Sequence, residues 1–316
     1  MGTGRAAPEN TVTNQQLSGF LDTSDEWIVA RTGIKSRHIC TTETVTSLAV
    51  SAAENALKKA GAEAGDIDMI ICPTLGGDYV FPSLACCVAG RLGVKRPAVD
   101  INAACTGFIY ALNFADMYYR GGNNGNLLII CGERLSNRAD WSDRGTCVLF
   151  GDAAGACVLA KGNALKYMHI EVNGDTAPLY LLSQDGNSPF SPRREETSRE
   201  HYTFMDGQAV FKFATRTLES EVRLALRQLG VTADEIDLFL IHQANKRIIE
   251  HVRLRLMQPP EKFPINIDRY ANVSAATIPI LMDELLEGGV IKPGQKLFLG
   301  AFGAGMTFGS CVLEWE

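Results

Sequence analysis

The sequence predicts an α/β protein built from two similar halves, and three observations carry that reading. First, Ala60-Gly61 through Asp66-Ile67-Asp68-Met69-Ile70-Ile71 is repeated in kind by Leu229-Gly230 through Glu235-Ile236-Asp237-Leu238-Phe239-Leu240, so Ile67 and Ile236 lie 169 residues apart. Second, Cys105 stands 16 residues before Gly121-Gly122 and Asn272 stands 16 before Gly288-Gly289, with a strand-like apolar run after each glycine pair. Third, short apolar runs alternate with segments of helical spacing, the mark of parallel or mixed sheets covered by helices. Self-similarity at a fixed offset is settled before any motif is read.

In chain order, helical spacing covers 45–60, and the apolar run at 69–72 reads as a strand. A strand at 98–101 leads into a helix over 106–120, and strands follow at 127–131 and 156–159. The second half offers a helix over 210–229, a strand at 238–241 and a helix over 245–256. It continues with a strand at 263–267, a helix over 274–286, and strands at 296–299 and 310–313. The halves divide at 1–168 and 169–316 and form one body. The interval 173–206, rich in Gly, Pro, Ser and charge, breaks the repeat and reads as a surface insertion or lid.

Composition bounds the function. The 316 residues, 46% hydrophobic and 21% charged, suit a soluble globular chain with a large core. A net charge of −6 argues against wholesale nucleic-acid binding. Nine cysteines include no Cys-X-X-Cys pair, and Cys72, Cys131, Cys147, Cys157 and Cys311 sit in apolar runs, as reduced core cysteines do in the cytosol. The N-terminus carries no signal-peptide stretch, Gly2 lacks the Ser or Thr at position 6 of an acylation motif, and no apolar run reaches about 18 residues. A cytoplasmic protein without membrane attachment is expected.

The duplication places a thiol and an amide at matching positions, which implies a shared pocket where the halves meet. Cys105 lies where a strand gives way to an apolar helix, a place whose unpaired N–H groups favour a thiolate. Ala103, Ala104 and Gly107 keep its surroundings small. His242 follows a buried strand directly, and strand ends of this kind gather sites. Asn272 opens a helix, where Asn is also an ordinary cap. Gly300-Ala301-Phe302-Gly303-Ala304-Gly305-Met306 is a turn able to aim backbone N–H groups at an oxyanion. Each signal is weak alone.

Together they form a pattern that resembles the beta-ketoacyl-acyl carrier protein synthase III family, over nearly the whole chain. The resemblance rests on Asp22-Thr23-Ser24-Asp25-Glu26-Trp27-Ile28 with Arg31-Thr32-Gly33-Ile34 and Arg37-His38, and on Phe81-Pro82-Ser83 and Ala103-Ala104-Cys105. It continues through Asp143-Arg144-Gly145-Thr146 with Phe150-Gly151-Asp152, His242-Gln243-Ala244-Asn245, 272–276 and 301–309. It implies thiolase-like halves stacked as five αβαβα layers. It implies a decarboxylating condensation of an acyl-CoA primer with malonyl-acyl carrier protein through an acyl-cysteine. Cys105 would be the nucleophile, His242 and Asn272 neutral donors to the enolate, and the N–H groups of Cys105 and Ala304 the oxyanion hole.

The same resemblance carries Trp27 and Arg144 to the coenzyme A adenine, Arg31 to its nucleotide end, Asn245 to the inner pocket and Phe211 to the tunnel. Phe81 would come from the second subunit of a homodimer to floor the acyl pocket. Arg247, Lys212, Arg253 and Arg255 would form a basic patch for the acidic carrier protein. No metal and no cofactor is implied, coenzyme A thioester being a substrate. The sequence departs from the family's usual Gly-Asn-Thr-Ser at Ala271-Asn272-Val273-Ser274, and from its triple glycine at Ala304, which is tolerable if that residue keeps a negative φ. Met306 and Phe308 replace the more usual Phe and Trp. The family's first strand, normally before Gly2-Thr3-Gly4, has no counterpart, which would leave an open sheet edge. These departures bear on acyl preference more than on the catalytic set. The alternatives are a related acyltransferase or specialised-metabolism condenser with another acceptor, and a non-catalytic carrier-protein-binding partner subunit. A classical thiolase is disfavoured because Cys311, the only cysteine of the C-terminal half, falls in the final strand.

Overall fold

The computed structural model describes residues 2–183 and 201–316. Its N-terminal half contains β1 (Gly2–Ala6), β2 (Thr11–Thr13), α1 (Asn14–Ser18), α2 (Asp25–Thr32), β3 (Ser36–His38), α3 (Val45–Ala60), β4 (Ile67–Pro73), α4 (Leu84–Leu92), β5 (Ala98–Ile101), α5 (Gly107–Arg120), β6 (Asn126–Arg134) and β7 (Asp152–Leu159). Its C-terminal half contains β8 (Leu165–Val172), β9 (Leu179–Tyr180), β10 (Phe204–Met205), α6 (Gly207–Leu229), β11 (Leu238–Ile241), α7 (Lys246–Arg255), α8 (Ile267–Tyr270), α9 (Thr277–Glu287), β12 (Lys296–Gly303) and β13 (Thr307–Glu314).

Local chemistry sets the repeated boundaries. Thr44 and Ser47 make a reciprocal capping box at the start of α3, and Asp206 caps α6 by accepting from the Gln208 and Ala209 N–H groups. Both helices stop at the repeated glycines, Gly61 with φ 63° and Gly230 with φ 68°, a left-handed cap that a side chain resists. Each cap delivers the chain to a strand, β4 or β11.

The strands form two main sheets, in the orders β1-β7-β6-β4-β5 and β11-β12-β13-β8. β4 runs parallel to β5 and β6, and β11 parallel to β12; the antiparallel β7 and β13 return alongside them. Their central runs are buried on both faces, which is why they are continuously apolar. α3 and α4 cover the outer face of the first sheet. α5 and α9 lie between the sheets, where Phe108, Ile109, Ile278 and Leu281 share one core with Ile129 and Leu299. α6 and α7 cover the far face of the second sheet through Leu218, Val222, Ile249 and Val252. The result is a thiolase-like αβαβα stack of duplicated halves.

Four features differ from the sequence reading. Gly2-Thr3-Gly4 is itself a strand, β1, paired antiparallel with β7. Its glycines are needed because a Cβ on Gly4 would lie 2.2 Å from the Ala52 carbonyl oxygen of α3. β8, unread in the sequence, pairs with β13 as β1 pairs with β7, so the expected division at 168/169 falls inside a strand and the chain changes sheets over 160–164. The expected strand at 263–267 does not form: Pro264 has no N–H to give a ladder, and Phe263 instead stacks on Phe239, centroids 4.6 Å apart. Of the interval 173–206, residues 184–200 lie outside the described residues; on either side of them, β9 and β10 pair with each other.

Candidate active site

Cys105 sits in the tight turn between β5 and α5. Ala104 before it adopts φ 48°, a left-handed conformation costly for alanine and frequent at functional turns. The turn is fastened to the opposite half: Thr106 Oγ1 donates to Thr307 Oγ1 at 2.9 Å. A Cβ on Gly303 would lie 2.8 Å from the Cys105 nitrogen, so the 303–304 peptide runs against the cysteine backbone. Ala304 meets the condition set for it, since it is not among the residues with positive φ, whereas Gly305 has φ 73°.

His242 leaves the end of β11, its N–H donating to the Gly300 carbonyl at 2.9 Å. The imidazole is buried, Phe302 meets it edge-on at 5.5 Å, and Nδ1 lies 2.7 Å from Thr277 Oγ1. Nε2 has no partner. Burial lowers the imidazole pKa to about 3, so the ring is neutral throughout the working range.

Asn272 is held by the other half of the molecule: its N–H donates to the Leu149 carbonyl at 2.9 Å and its own carbonyl accepts from Gly151 at 3.1 Å. Its side-chain oxygen accepts from the Ser274 N–H at 2.9 Å, which leaves the amide nitrogen as the group free to donate. Ala271, where the resemblance led to an expectation of glycine, takes φ 57° and ψ −158°, a region that is nearly glycine's own.

The three side chains line one cavity of about 980 Å³. Cys105 is partly exposed, to this cavity. Burial pushes its thiol up to about 12; the nearby Ser274 hydroxyl works the other way, and the nearby Glu133 carboxyl adds to the rise. The expected thiolate is therefore a neutral thiol at rest, because desolvation outweighs the short turn of N–H groups beside it. Glu133, at the end of β6, was unread in the sequence. It is 1% exposed and raised to about 8, chiefly by burial. An acid closing an apolar run, in Ile130-Cys131-Gly132-Glu133, was the available signal. Thr277 was equally unread, while Ser274 and Gly303 were read only as parts of their motifs.

Trp27, Arg31, Asn245, Phe211, Arg247 and Ala304 also line the cavity. Arg31 and Arg144 both stand over the Trp27 ring, at 4.4 and 5.2 Å. Arg144 is not among the lining residues and bonds to Asp22. Asn245 caps α7 through the Arg247 N–H and donates to the Arg31 carbonyl at 3.0 Å. Phe81 is away from this cavity and 85% exposed. Lys212 borders a separate groove with Arg216 and Phe213. Two members of the expected basic patch are occupied within the chain: Arg253 holds Glu250 at 2.8 Å with only 18% of its side chain exposed, and Arg255 holds Glu219 at 3.1 Å.

Comparison with known proteins gives the family. Residues 99–176 match the family model for 3-Oxoacyl-[acyl-carrier-protein (ACP)] synthase III, and residues 226–315 match the model for its C terminal part. A Beta-ketoacyl-[acyl-carrier-protein] synthase III of Natranaerobius thermophilus is 42% identical over 323 residues, covering 100% of this chain and 98% of the relative. The crystal structure of 3-oxoacyl-[acyl-carrier-protein] synthase III from Aquifex aeolicus VF5 superposes with TM-score 0.92 at 40% identity, covering 99% of this chain and 98% of that one. The synthase III structure from Thermus thermophilus gives TM-score 0.93 at 38% identity, covering 100% and 98%. Fold and family together define an acyltransferase of the condensing class. The chain belongs to the beta-ketoacyl-[acyl-carrier-protein] synthase III family, whose condensation initiates fatty acid synthesis.

Proposed function

We propose that Cys105 accepts an acyl group from acyl-CoA and passes it to the carbanion formed when malonyl-acyl carrier protein loses carbon dioxide. The supporting observation is the meeting of Cys105, His242 and Asn272 on one cavity that also reaches Trp27 and Arg31. In the first half-reaction the sulfur–carbon bond forms, the coenzyme A sulfur leaves, and the thiol proton is transferred to that sulfur. Sulfur suits both steps because its thiolate is a soft nucleophile and a good leaving group. The N–H groups of Cys105 and Ala304 hold the oxyanion.

In the second half-reaction, His242 Nε2 and Asn272 Nδ2 donate to the malonyl thioester oxygen as it becomes an enolate. Their neutrality matters. A cationic imidazolium would also bind the malonyl carboxylate before reaction, and binding shared by ground and transition states yields no rate. The enolate carbon then attacks the acyl-cysteine, releasing the Cys105 thiolate to regain a proton.

Trp27 stacks the adenine with Arg144, Arg31 meets the nucleotide phosphates, Asn245 orients the inner pocket and Phe211 lines the tunnel. With Arg253 and Arg255 committed elsewhere, Arg247 and Lys212 receive the acidic carrier protein. The division into an N-terminal half with the nucleophile and a C-terminal half with the two donors follows the two sheets. The chain acts as a homodimer: Val80 is 98% exposed beside Phe81, and Val99 on the edge strand β5 is 47% exposed, an apolar border that a second copy covers. Phe81 then floors the partner's acyl pocket. No helix among the described residues is long and apolar enough to cross a membrane, and the protein works in the cytoplasm. The reaction as written takes no cofactor besides the coenzyme A substrate. Loading with radiolabelled acyl-CoA followed by malonyl-carrier protein should release carbon dioxide and label the product; labelled Cys105 without carbon dioxide release would point to an acyltransferase with another acceptor.

A further inference from the structure

Thr277 has no role in the reaction as described so far. It is buried at the start of α9, and its hydroxyl oxygen lies 2.7 Å from His242 Nδ1 and 3.1 Å from the Ser274 carbonyl oxygen. A hydroxyl has one proton to donate, and a carbonyl can only accept. The two neighbours therefore compete for a single hydrogen. If Ser274 wins, His242 carries its hydrogen on Nδ1 and turns a bare lone pair toward the cavity. If His242 wins, the hydrogen sits on Nε2 and faces the substrate.

The distances favour the second of these states. A separation of 2.7 Å is typical when a hydroxyl donates and short for an N–H donor, whose usual spacing is about 2.9–3.0 Å. The 3.1 Å to Ser274 lies beyond the usual O–H···O range of about 2.5–3.0 Å. The proton thus belongs between Thr277 and Nδ1. Because burial keeps the ring neutral, one ring nitrogen and only one carries a hydrogen. Nε2, buried and without a partner among the described residues, is left with an N–H that waits for an acceptor.

We propose that Thr277 is a positioning residue that fixes His242 in the Nε2–H tautomer, so that His242 donates to the thioester oxygen as its negative charge develops. This rests on the assignment of His242 made above. The same short turn orients the second donor, since the Ser274 N–H sets the Asn272 amide. Ser274 adopts φ 51°, a left-handed conformation from which its N–H meets Asn272 while its carbonyl meets Thr277. One strained turn therefore sets the donor state of both side chains.

The test uses full-length wild type, Thr277→Val and Thr277→Ser. Nitrogen-15 spectra of histidine-labelled protein report which ring nitrogen of His242 carries hydrogen. Mass spectrometry after acetyl-CoA addition reports acylation of Cys105, and carbon dioxide release from malonyl-carrier protein reports decarboxylation. Wild type should show hydrogen on Nε2. Thr277→Val, nearly isosteric, should lose that tautomer and slow decarboxylation by about 10²-fold, the effect of losing one donor, while Cys105 still acylates. Thr277→Ser should restore both tautomer and rate. Hydrogen on Nδ1 in wild type, or unchanged decarboxylation in Thr277→Val, overturns the proposal. The spectra read the tautomer whether or not Cys105 is the acyl acceptor, so a wild type that shows Nε2–H but never acylates Cys105 separates a failed site assignment from a failed role for Thr277.

Discussion

Glu133 is a buried acid whose charge is felt at Cys105, and replacing it with glutamine measures what that acid costs the fold. Its carboxyl accepts from the Leu75 N–H at 3.3 Å to each oxygen; Arg138 and the Ser274 hydroxyl also favour its charged form, while Asp152 opposes it. Burial prevails and holds the group protonated up to about 8, against 4.5 for a free glutamate. Below 4.5 the carboxyl is protonated in both folded and unfolded chains and pH has no effect through it. Between 4.5 and about 8 the unfolded chain gives up a proton that the folded chain keeps, so stability falls as pH rises. The slope is about 1.4 kcal/mol per pH unit, which amounts to on the order of 4–5 kcal/mol across the interval. Above 8 both states are ionised and the loss levels off. Glutamine cannot ionise, and its oxygen still accepts from Leu75. Glu133→Gln should therefore match wild type near pH 5 and exceed it by several kcal/mol near pH 8, read from urea unfolding at a series of pH values. A difference that stays constant with pH would refute the reasoning, because a packing effect has no such slope.

Three further outcomes follow from the site. Cys105→Ser should lose acyl transfer from acyl-CoA, measured by coenzyme A release; near-normal condensation in that variant would overturn the nucleophile assignment. His242→Ala and Asn272→Ala should each cut decarboxylation by about 10²–10³ while some acylation of Cys105 persists, and an equal fall in both half-reactions would contradict the division of roles. Gly303→Ala should cost about 10²-fold in acyl transfer and lower the unfolding midpoint as well, since its methyl would meet the Cys105 backbone nitrogen at 2.8 Å and must shift the turn that carries the sulfur. Full activity in that variant would show that the turn yields without moving the sulfur.

Much of this architecture was legible in the chain because it depends on local regularities. Helix α3 was read to the residue, since apolar spacing and its closing glycine are adjacent features. The candidate set was legible because duplication put Cys105 and Asn272 at matching distances from paired glycines. β1 was not, because its glycines carry no strand signal of their own; they are explained by α3 lying within a methyl group's reach. Phe263 was read as a strand residue although Pro264 follows it, and packing on Phe239 shows why an apolar run settled otherwise.

By itself the sequence determined the twofold architecture, the family, and which cysteine, histidine and asparagine are candidates for chemistry. The tertiary structure alone decided their protonation and donor states. Cys105 is a thiol and His242 neutral because desolvation, a property of surroundings rather than residue type, outweighs the nearby dipoles. Which nitrogen of His242 faces the substrate is set by a hydroxyl 35 residues away in the chain and 2.7 Å away in space, a proximity that only folding creates.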